Sequence, residues 1–262
     1  MVMQSFKTFL TEKKNQPSAV WVVGGAASGK STIAESTLVK KLGFVLIDVD
    51  KPFEFYLKKF NLSPDIQKQT PEQRKKAQEK KKKEDALIKA GKLPPRKKMA
   101  DYENPEDYFK DNPPTTNRAS VVAREKTRRL KDSTLDKRDN VVFVETGGQI
   151  GRIRNEKKKM EEMGYKTFIV YVGPYANEDL EKPAVYKKTY DLIVKRGEKR
   201  RKSGGRGLDP KILETSLKQS TKVKKELVPL FGRSQLMIDT AKTDNLRKNQ
   251  ATVLKKIRTW MR

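Results

Sequence analysis

The 262-residue chain contains neither cysteine nor histidine. Without cysteine it can form no disulfide and no thiolate metal site. Without histidine, any acid–base chemistry must use aspartate, glutamate or lysine. No apolar run approaches the roughly 18 residues of a membrane span, and the first residues lack the apolar core of a secretory signal. We therefore expect an intracellular protein without a membrane span.

Positive charge is in excess instead. The chain has 60 Lys and Arg against 33 Asp and Glu, a formal net charge of +27, while its 35% hydrophobic content still suffices for a core. A field of this sign attracts polyanions, so DNA or RNA is the first partner to expect and an anionic membrane surface the second. A solvated basic surface is the ordinary alternative, and the oligomeric state is left open.

An apolar run at residues 19–23 leads directly into the pattern G-x-x-x-x-G-K-S at residues 24–31. Such a loop lets backbone N–H groups surround phosphate oxygens, while Lys30 reaches the β- and γ-phosphates and Ser31 can ligate Mg²⁺. Ile33, Leu38 and Leu42 follow at helical spacing, and Gly43 ends the predicted helix. The residues expected to bind the nucleotide are Gly24, Gly25, Ala26, Ala27, Ser28, Gly29, Lys30, Ser31 and Thr32.

The remaining chain alternates short apolar runs with helical patterns. Strands are predicted at residues 44–47, 141–144, 165–172 and 235–238, helices at 117–130, 151–163, 210–230 and 246–260, and a basic helix followed by a loop at 184–206. Strands separated by helices predict an α/β fold with a five-stranded parallel sheet covered on both faces. Ligands of such sheets bind at the carboxyl ends of the strands.

A change of composition marks an insertion. Lys, Glu and Gln dominate from about residue 61 to 115, which predicts a charged helix near 71–90, including the lysine run 80–83, followed by a linker. We therefore expect a tail at residues 1–17 and one domain at 18–262 that contains this Lys-rich insertion.

Two aspartates follow the second predicted strand. Asp48 and Asp50 are expected on one side of an extended segment near the nucleotide. Because a kinase that acts on a hydroxyl needs a carboxylate near the acceptor oxygen, Asp50 is the candidate general base, with Asp48 as its orienting or substrate-binding partner. Ordinary solubilising carboxylates at a strand end are the alternative.

Glu145 and Thr146 follow the third predicted strand. Glu145 is a candidate Mg²⁺ ligand through water, or a residue that positions the acceptor together with Thr146; capping of the next helix is the alternative. The basic segment 195–206 can form a mobile lid that neutralises charge during transfer. Arg196 and Arg200, four residues apart, are its candidate catalytic residues, and Arg206 is a further nucleotide-binding candidate. Contact with nucleic-acid phosphates is the competing interpretation.

The chain resembles the polynucleotide-kinase and zeta-toxin branch of P-loop kinases, and also predicted kinases of large tailed bacteriophages. The resemblance lies in the loop at residues 24–31 (the P-loop), Asp48 and Asp50, residues 145–147, and the Arg196/Arg200 lid. The resemblance covers about residues 18–240 without the insertion. It implies an adenylate-kinase-like five-stranded sheet, ATP and Mg²⁺ as cofactors, Asp50 as the base that deprotonates a hydroxyl, and lid arginines on the ATP phosphates.

Residues 5–12 are similar to the head-targeting peptides of T-even-type phages, which end in an aliphatic-x-Glu signal; a plain N-terminal helix is the alternative. The resemblances imply a kinase that phosphorylates a 5′-hydroxyl end or a hydroxymethylated base in the cytoplasm of a phage-infected host cell, with packaging into the virion head as an option. The alternatives are a nucleotide-sugar kinase and a non-catalytic, basic, nucleic-acid-binding head protein.

Overall fold

In a computed structural model of the protein, the structure describes residues 16–62, 79, 82–83, 86–92, 97–146, 148–202, 210–242 and 245–262. The chain divides into two compact units, one formed by Met1–Asp48 with Lys131–Arg262 and the other by Val49–Leu130. The peptide at 5–12 and most of the predicted helix at 71–90 lie outside the described residues, apart from helical positions at 79, 82–83 and 86–89.

The first unit contains a five-stranded parallel sheet, as the sequence predicts. Its order is β2-β3-β1-β4-β5, with β1 in the centre. The strands are β1 (Ser18–Val23), β2 (Val45–Ile47), β3 (Val141–Glu145), β4 (Lys166–Gly173) and β5 (Gln235–Asp239). Each strand differs from its predicted bounds by one residue at most at either end.

Helices connect these strands. They are α1 (Lys30–Ile33, continued by a π-helical segment Ala34–Val39 and by Lys40–Leu42), α2 (Asp50–Lys59), α3 (Tyr108–Asp111), α4 (Thr116–Asp136), α5 (Ile150–Glu162), α6 (Pro183–Lys202), α7 (Pro210–Lys222, continued by a π-helical segment Val223–Leu227 and the 3-10 turn Val228–Phe231) and α8 (Leu246–Met261). Gly43 ends α1 as predicted, because its φ of 71° is a left-handed conformation that glycine adopts without strain.

Both faces of the sheet are buried, which explains why β1 is apolar throughout. On one face Trp21 packs with α5, α7 and the end of α4; on the other, Val20 and Val22 pack with α1 and α8. Side chains alternate between the faces of a strand, so a strand covered on both sides needs apolar residues at every position. The carboxyl ends of all five strands then meet at one edge of the sheet.

The second unit has a core of its own. Phe53, Tyr56 and Leu57 of α2 pack against Ala119 and Val122 in the first turns of α4. At its edge the Glu106 carboxylate accepts hydrogen bonds from Tyr56 Oη (3.0 Å), Lys59 Nζ (3.1 Å) and Lys126 Nζ (3.0 Å). Chiefly through the bond from Lys126, these partners lower the pKa of Glu106 to about 2.

The stability of this unit is therefore expected to depend on pH through Glu106. A native pKa below the ordinary value of 4.5 means that the ionised carboxylate stabilises the fold above that pH, and that this contribution is lost as the pH falls toward 2. Glu106→Gln should lower the unfolding temperature by about 2–6 °C at pH 7. The difference from wild type should shrink between pH 5 and pH 2. Thermal unfolding followed by circular dichroism tests both statements.

Glu103→Gln provides the control, because Glu103 is exposed and lies three residues from Glu106. It should leave the unfolding temperature nearly unchanged at every pH. A Glu106 variant with wild-type stability at pH 7 would show that the three hydrogen bonds contribute nothing to the fold.

No helix in the described ranges is long and apolar enough to cross a membrane.

Candidate active site

The loop between β1 and α1 has the backbone that its glycines predict. Gly24 has φ 154°, and a Cβ built there would lie 2.0 Å from the Val172 carbonyl oxygen, so no other residue fits without a backbone shift. Ala27 and Gly29 have φ values of 56° and 95°. Positive φ values at alternate residues turn successive N–H groups toward one concavity, which is the geometry of an anion site.

Lys30 is the first residue of α1 and is only 7% exposed. Its Nζ donates a hydrogen bond of 2.6 Å to the Gly25 carbonyl oxygen, so the ammonium group is held inside the loop. The first turn of α1 has no acidic residue, and Ser31 and Thr32 follow Lys30 with exposed side chains. A helix N-terminus, a cation and a hydroxyl thus occupy the positions that phosphate and its metal ion require.

Helices α6 and α7 pack against the loop. Ala26 lies in an apolar cluster with Ile193 of α6 and with Leu213 and Leu217 of α7. Its backbone N–H donates a buried hydrogen bond of 2.7 Å to Ser216 Oγ of α7. This contact joins residues 190 positions apart, and nothing in the local sequence pattern signals it.

The buried Ser28 Oγ has no hydrogen-bond partner among the described residues. A buried hydroxyl without a partner has unused capacity to bind a polar ligand. The loop, Lys30 and Ser28 therefore fit the phosphate groups of a nucleotide.

Arg196 of α6 is connected to the loop through Thr240, the residue after β5. Arg196 donates to Thr240 Oγ1 at 3.2 Å and also to the Thr240 carbonyl oxygen. Thr240 Oγ1 in turn donates to the Ser28 carbonyl oxygen at 2.9 Å. Burial lowers the pKa of Arg196, while the nearby Asp239 carboxylate opposes that shift. The predicted lid arginine is thus placed beside the P-loop, through a threonine that the sequence analysis missed.

Arg200 follows Arg196 by one turn within α6, so the helix presents both positions on one side, as predicted. The side chain of Arg200 and the whole of Arg206 lie outside the described part of the structure. Their roles stay predictions.

Glu145 ends β3 and faces α5. Its Oε1 accepts a hydrogen bond of 2.6 Å from Arg152 Nη2, and Glu156 and Asp48 are close enough to interact with it electrostatically. Burial raises the pKa of Glu145, against the opposing effect of Arg152. No group of three or more acidic side chains that could hold a metal ion occurs among the described residues. A Mg²⁺ role for Glu145, and an acceptor role for it and the exposed Thr146, stay predictions.

The expectation that Asp48 and Asp50 share an extended segment is wrong. Strand β2 ends at Ile47, Val49 has helical dihedral angles, and Asp50 is the first residue of α2. Asp48 belongs to the first unit and the exposed Asp50 to the second. The extended segment does not continue past Ile47 because Asp48 and Asp50 favour turns and helix starts, and they stand where a buried strand would need apolar residues.

A cleft of about 330 Å³ opens between the loop after β3 and helix α7. Its lining residues are Gly148, Ile150, Gln219, Lys222 and Glu226. The same helix contacts the P-loop, since Ser216 bonds to Ala26 and Ser220 lies in van der Waals range of a Cβ built at Gly25. The cleft thus lies on the helix that borders the phosphate site, and Gln219, Lys222 and Glu226 supply its polar side chains.

Comparison with known proteins supports the fold. A protein from Chloroflexus aurantiacus J-10-fl described as a "putative kinase" has a TM-score of 0.52 and 14% identity, covering 93% of this chain and 98% of its own. Two further structures have lower TM-scores. One is a gluconokinase from Sinorhizobium meliloti 1021, with a TM-score of 0.41 and 13% identity, covering 94% of this chain and 99% of its own. The other is from the PezAT toxin–antitoxin system of Streptococcus pneumoniae, with a TM-score of 0.42 and 14% identity, covering 99% of this chain and 93% of its own. No protein-family model and no curated protein matches the chain. The chain thus shares its fold, a five-stranded parallel sheet with helices on both faces, with the structure from Chloroflexus aurantiacus.

Proposed function

We propose that the protein is an ATP- and Mg²⁺-dependent kinase that transfers a phosphoryl group to a hydroxyl of a nucleic acid or a nucleotide-like acceptor. The observation that carries the proposal is the P-loop closed around the buried Lys30, with Arg196 connected to the same loop through Thr240. The burial of Lys30 and the position of Arg196 beside the loop favour a nucleotide site over a chance match to the motif.

The roles of the loop residues follow from this arrangement. Amides of residues 24–32 that are not already hydrogen-bonded, as that of Ala26 is to Ser216, would bind the phosphates, and Lys30 would exchange the Gly25 carbonyl for phosphate oxygens. Arg196 and Arg200, with Arg206, would neutralise charge that develops during transfer. Ser31 and Glu145 are the proposed ligands of Mg²⁺, directly or through water, and the bound ion would stabilise charge on the phosphates.

On the acceptor side, Asp50 is the proposed general base, with Asp48 and Thr146 as substrate-binding residues. A net charge of +27 supports a polyanionic acceptor such as a 5′-hydroxyl end or a hydroxymethylated base. The resemblance to phage kinases supports membership of the polynucleotide-kinase and zeta-toxin branch, action in an infected cell and, through residues 5–12, packaging into the virion head.

The proposal is tested with γ-labelled ATP, Mg²⁺ and matched acceptors. One oligonucleotide is supplied with a 5′-hydroxyl and with a 5′-phosphate, each with and without a hydroxymethylated base, alongside an RNA version and a nucleotide sugar. Label confined to 5′-hydroxyl ends identifies an end kinase, and label that depends on the hydroxymethyl group identifies a base kinase. Label on the nucleotide sugar alone would overturn the acceptor class. Nucleotide binding without transfer to any acceptor would favour a non-catalytic binding protein.

Thr240→Val should weaken nucleotide binding because it removes the hydroxyl that accepts from Arg196 and donates to Ser28. Loss of about 1 kcal/mol of hydrogen bonding predicts an increase of roughly fivefold in the KM for ATP, with a smaller change in kcat. Steady-state kinetics with varied ATP measure the split. Thr252→Val is the control, since its hydroxyl bonds only to the Lys248 carbonyl of its own helix. Equal kinetics of the two variants would contradict a role for Thr240.

A further inference from the structure

The last helix, α8, has an excess of positive charge among its exposed residues. Residues 246–262 contain six arginines and lysines and no acidic residue. All six are exposed: Arg247, Lys248, Lys255, Lys256, Arg258 and Arg262. At 100° per residue, Lys248, Lys255 and Arg258 fall within about 80° of the helix circumference, and Arg262, which caps the helix, follows one turn later, so that the four span about 21 Å along the axis. They form one stripe, which we call the α8 stripe.

The described cations of α8 form no ion pair with a carboxylate, whereas several cations on α4, α5 and α7 do. Along α4 and α5, Arg128 and Arg129 pair with Glu125, and Lys158 pairs with Glu162. On α7, Lys218 pairs with Glu214. Within the described part of the chain, no cation of α8 forms such a pair. Because no neighbouring carboxylate offsets these charges, the stripe presents a continuous positive potential to solvent.

The apolar side of α8 is buried from Val253 onward. Val253 and Ile257 are fully buried against the sheet, and Trp260 packs on Phe168 with 4.9 Å between ring centroids. A basic amphipathic helix binds a lipid surface by inserting its apolar face. That face is unavailable here, so the stripe can attract a partner only through charge.

We propose that the α8 stripe binds the phosphate backbone of a nucleic acid. Double-stranded DNA presents one charge per about 1.7 Å of axis, so about twelve phosphate charges lie along a length of 21 Å, and those on the near side of the duplex are enough to pair with the four cations of the stripe. The proposal rests on the proposed function in taking the acceptor to be a nucleic acid. It assigns binding of the nucleic-acid backbone to α8, which contains none of the residues proposed above to bind the nucleotide or the acceptor hydroxyl. Such contacts position a polymer without reading its bases.

Binding is measured by fluorescence anisotropy with a duplex between 50 and 200 mM salt. The test variant replaces Lys248, Lys255, Arg258 and Arg262 by glutamine. Its control replaces four exposed lysines that pair with carboxylates, Lys110, Lys158, Lys218 and Lys225, and so changes the net charge equally. Circular dichroism and thermal unfolding verify that both variants are folded.

With one phosphate per cation, the α8 variant should lose up to about 3.6 from the slope of log affinity against log salt. The ratio of wild-type to variant affinity should then fall roughly 10²-fold between 50 and 200 mM salt. The control should stay close to wild type. Equal affinity and slope in the two variants would overturn the proposal, as would tighter binding of wild type to phosphatidylserine vesicles than to DNA through the same four residues.

Two further measurements separate this inference from the proposed function. Lys30→Ala should bind the duplex as wild type does. The α8 variant should phosphorylate a mononucleotide-sized acceptor at the wild-type rate and an oligonucleotide more slowly at low concentration. If the protein binds DNA through α8 in a salt-dependent way but transfers phosphate to no acceptor, the binding role of α8 is supported and only the proposed kinase activity is contradicted.

Discussion

Lys30→Ala is expected to reduce phosphoryl transfer by at least about 10²–10³-fold while the fold stays intact. Lys30 is the buried cation of the P-loop, and its Nζ lies 2.6 Å from the Gly25 carbonyl oxygen. Charge that develops on the transferred group must be balanced by preorganised cations, because water is excluded from such a site. Alanine leaves that charge without its nearest partner. Single-turnover assays with labelled ATP measure the loss directly.

Lys41→Ala provides the matched control. Lys41 lies in the last turn of the same helix α1 and is exposed, so its removal changes the net charge equally without touching the loop. It should keep full activity. Turnover of the Lys30 variant within about tenfold of this control would remove Lys30 from the mechanism, whereas a loss of several degrees in unfolding temperature would indicate a structural role instead.

Much of the fold could be predicted because local patterns and tertiary packing agree in this chain. β1 is apolar at every position but its first, since both faces of the central strand are covered. Gly24 and Gly29 stand where a side chain would clash or where φ is positive. Gly43 ends α1 for the same conformational reason. Steric requirements of this kind act on single residues, so they can be read from the sequence.

The contacts that complete the site could not be predicted in the same way. Ser216 reaches Ala26 across 190 residues of chain, and Thr240 reaches Ser28 across 212. Nothing in the local sequence marks Ser216 or Thr240, because each hydroxyl contacts the loop only after the chain has folded. At Asp50 the local pattern gave a wrong prediction: the spacing of the two aspartates indicated an extended segment, but the chain begins helix α2 there. Capping and turn preferences override the strand pattern at that point.

Asp50→Asn is expected to lower the rate by roughly two to four orders of magnitude, which is the range of a positioned general base. Asparagine keeps the size of the side chain and can still begin helix α2, but it cannot accept a proton from an acceptor hydroxyl. ATP affinity should therefore remain near wild type while kcat falls. Equilibrium binding of ATP and the single-turnover rate, measured on the same preparation, distinguish these effects.

Glu54→Gln removes one negative charge from the same helix one turn later and serves as the control for a general electrostatic effect. Its rate should stay within a few-fold of wild type. Asp48→Asn adds a second comparison, since a residue that only orients the acceptor should raise the acceptor KM more than it lowers kcat. If Asp50→Asn loses ATP binding as well as rate, Asp50 acts on the metal or the fold and the base must be sought elsewhere. With no histidine in the chain, the search would then turn to Glu145 at the end of β3, because burial raises its pKa and so makes its ionised carboxylate a stronger base than that of an ordinary glutamate.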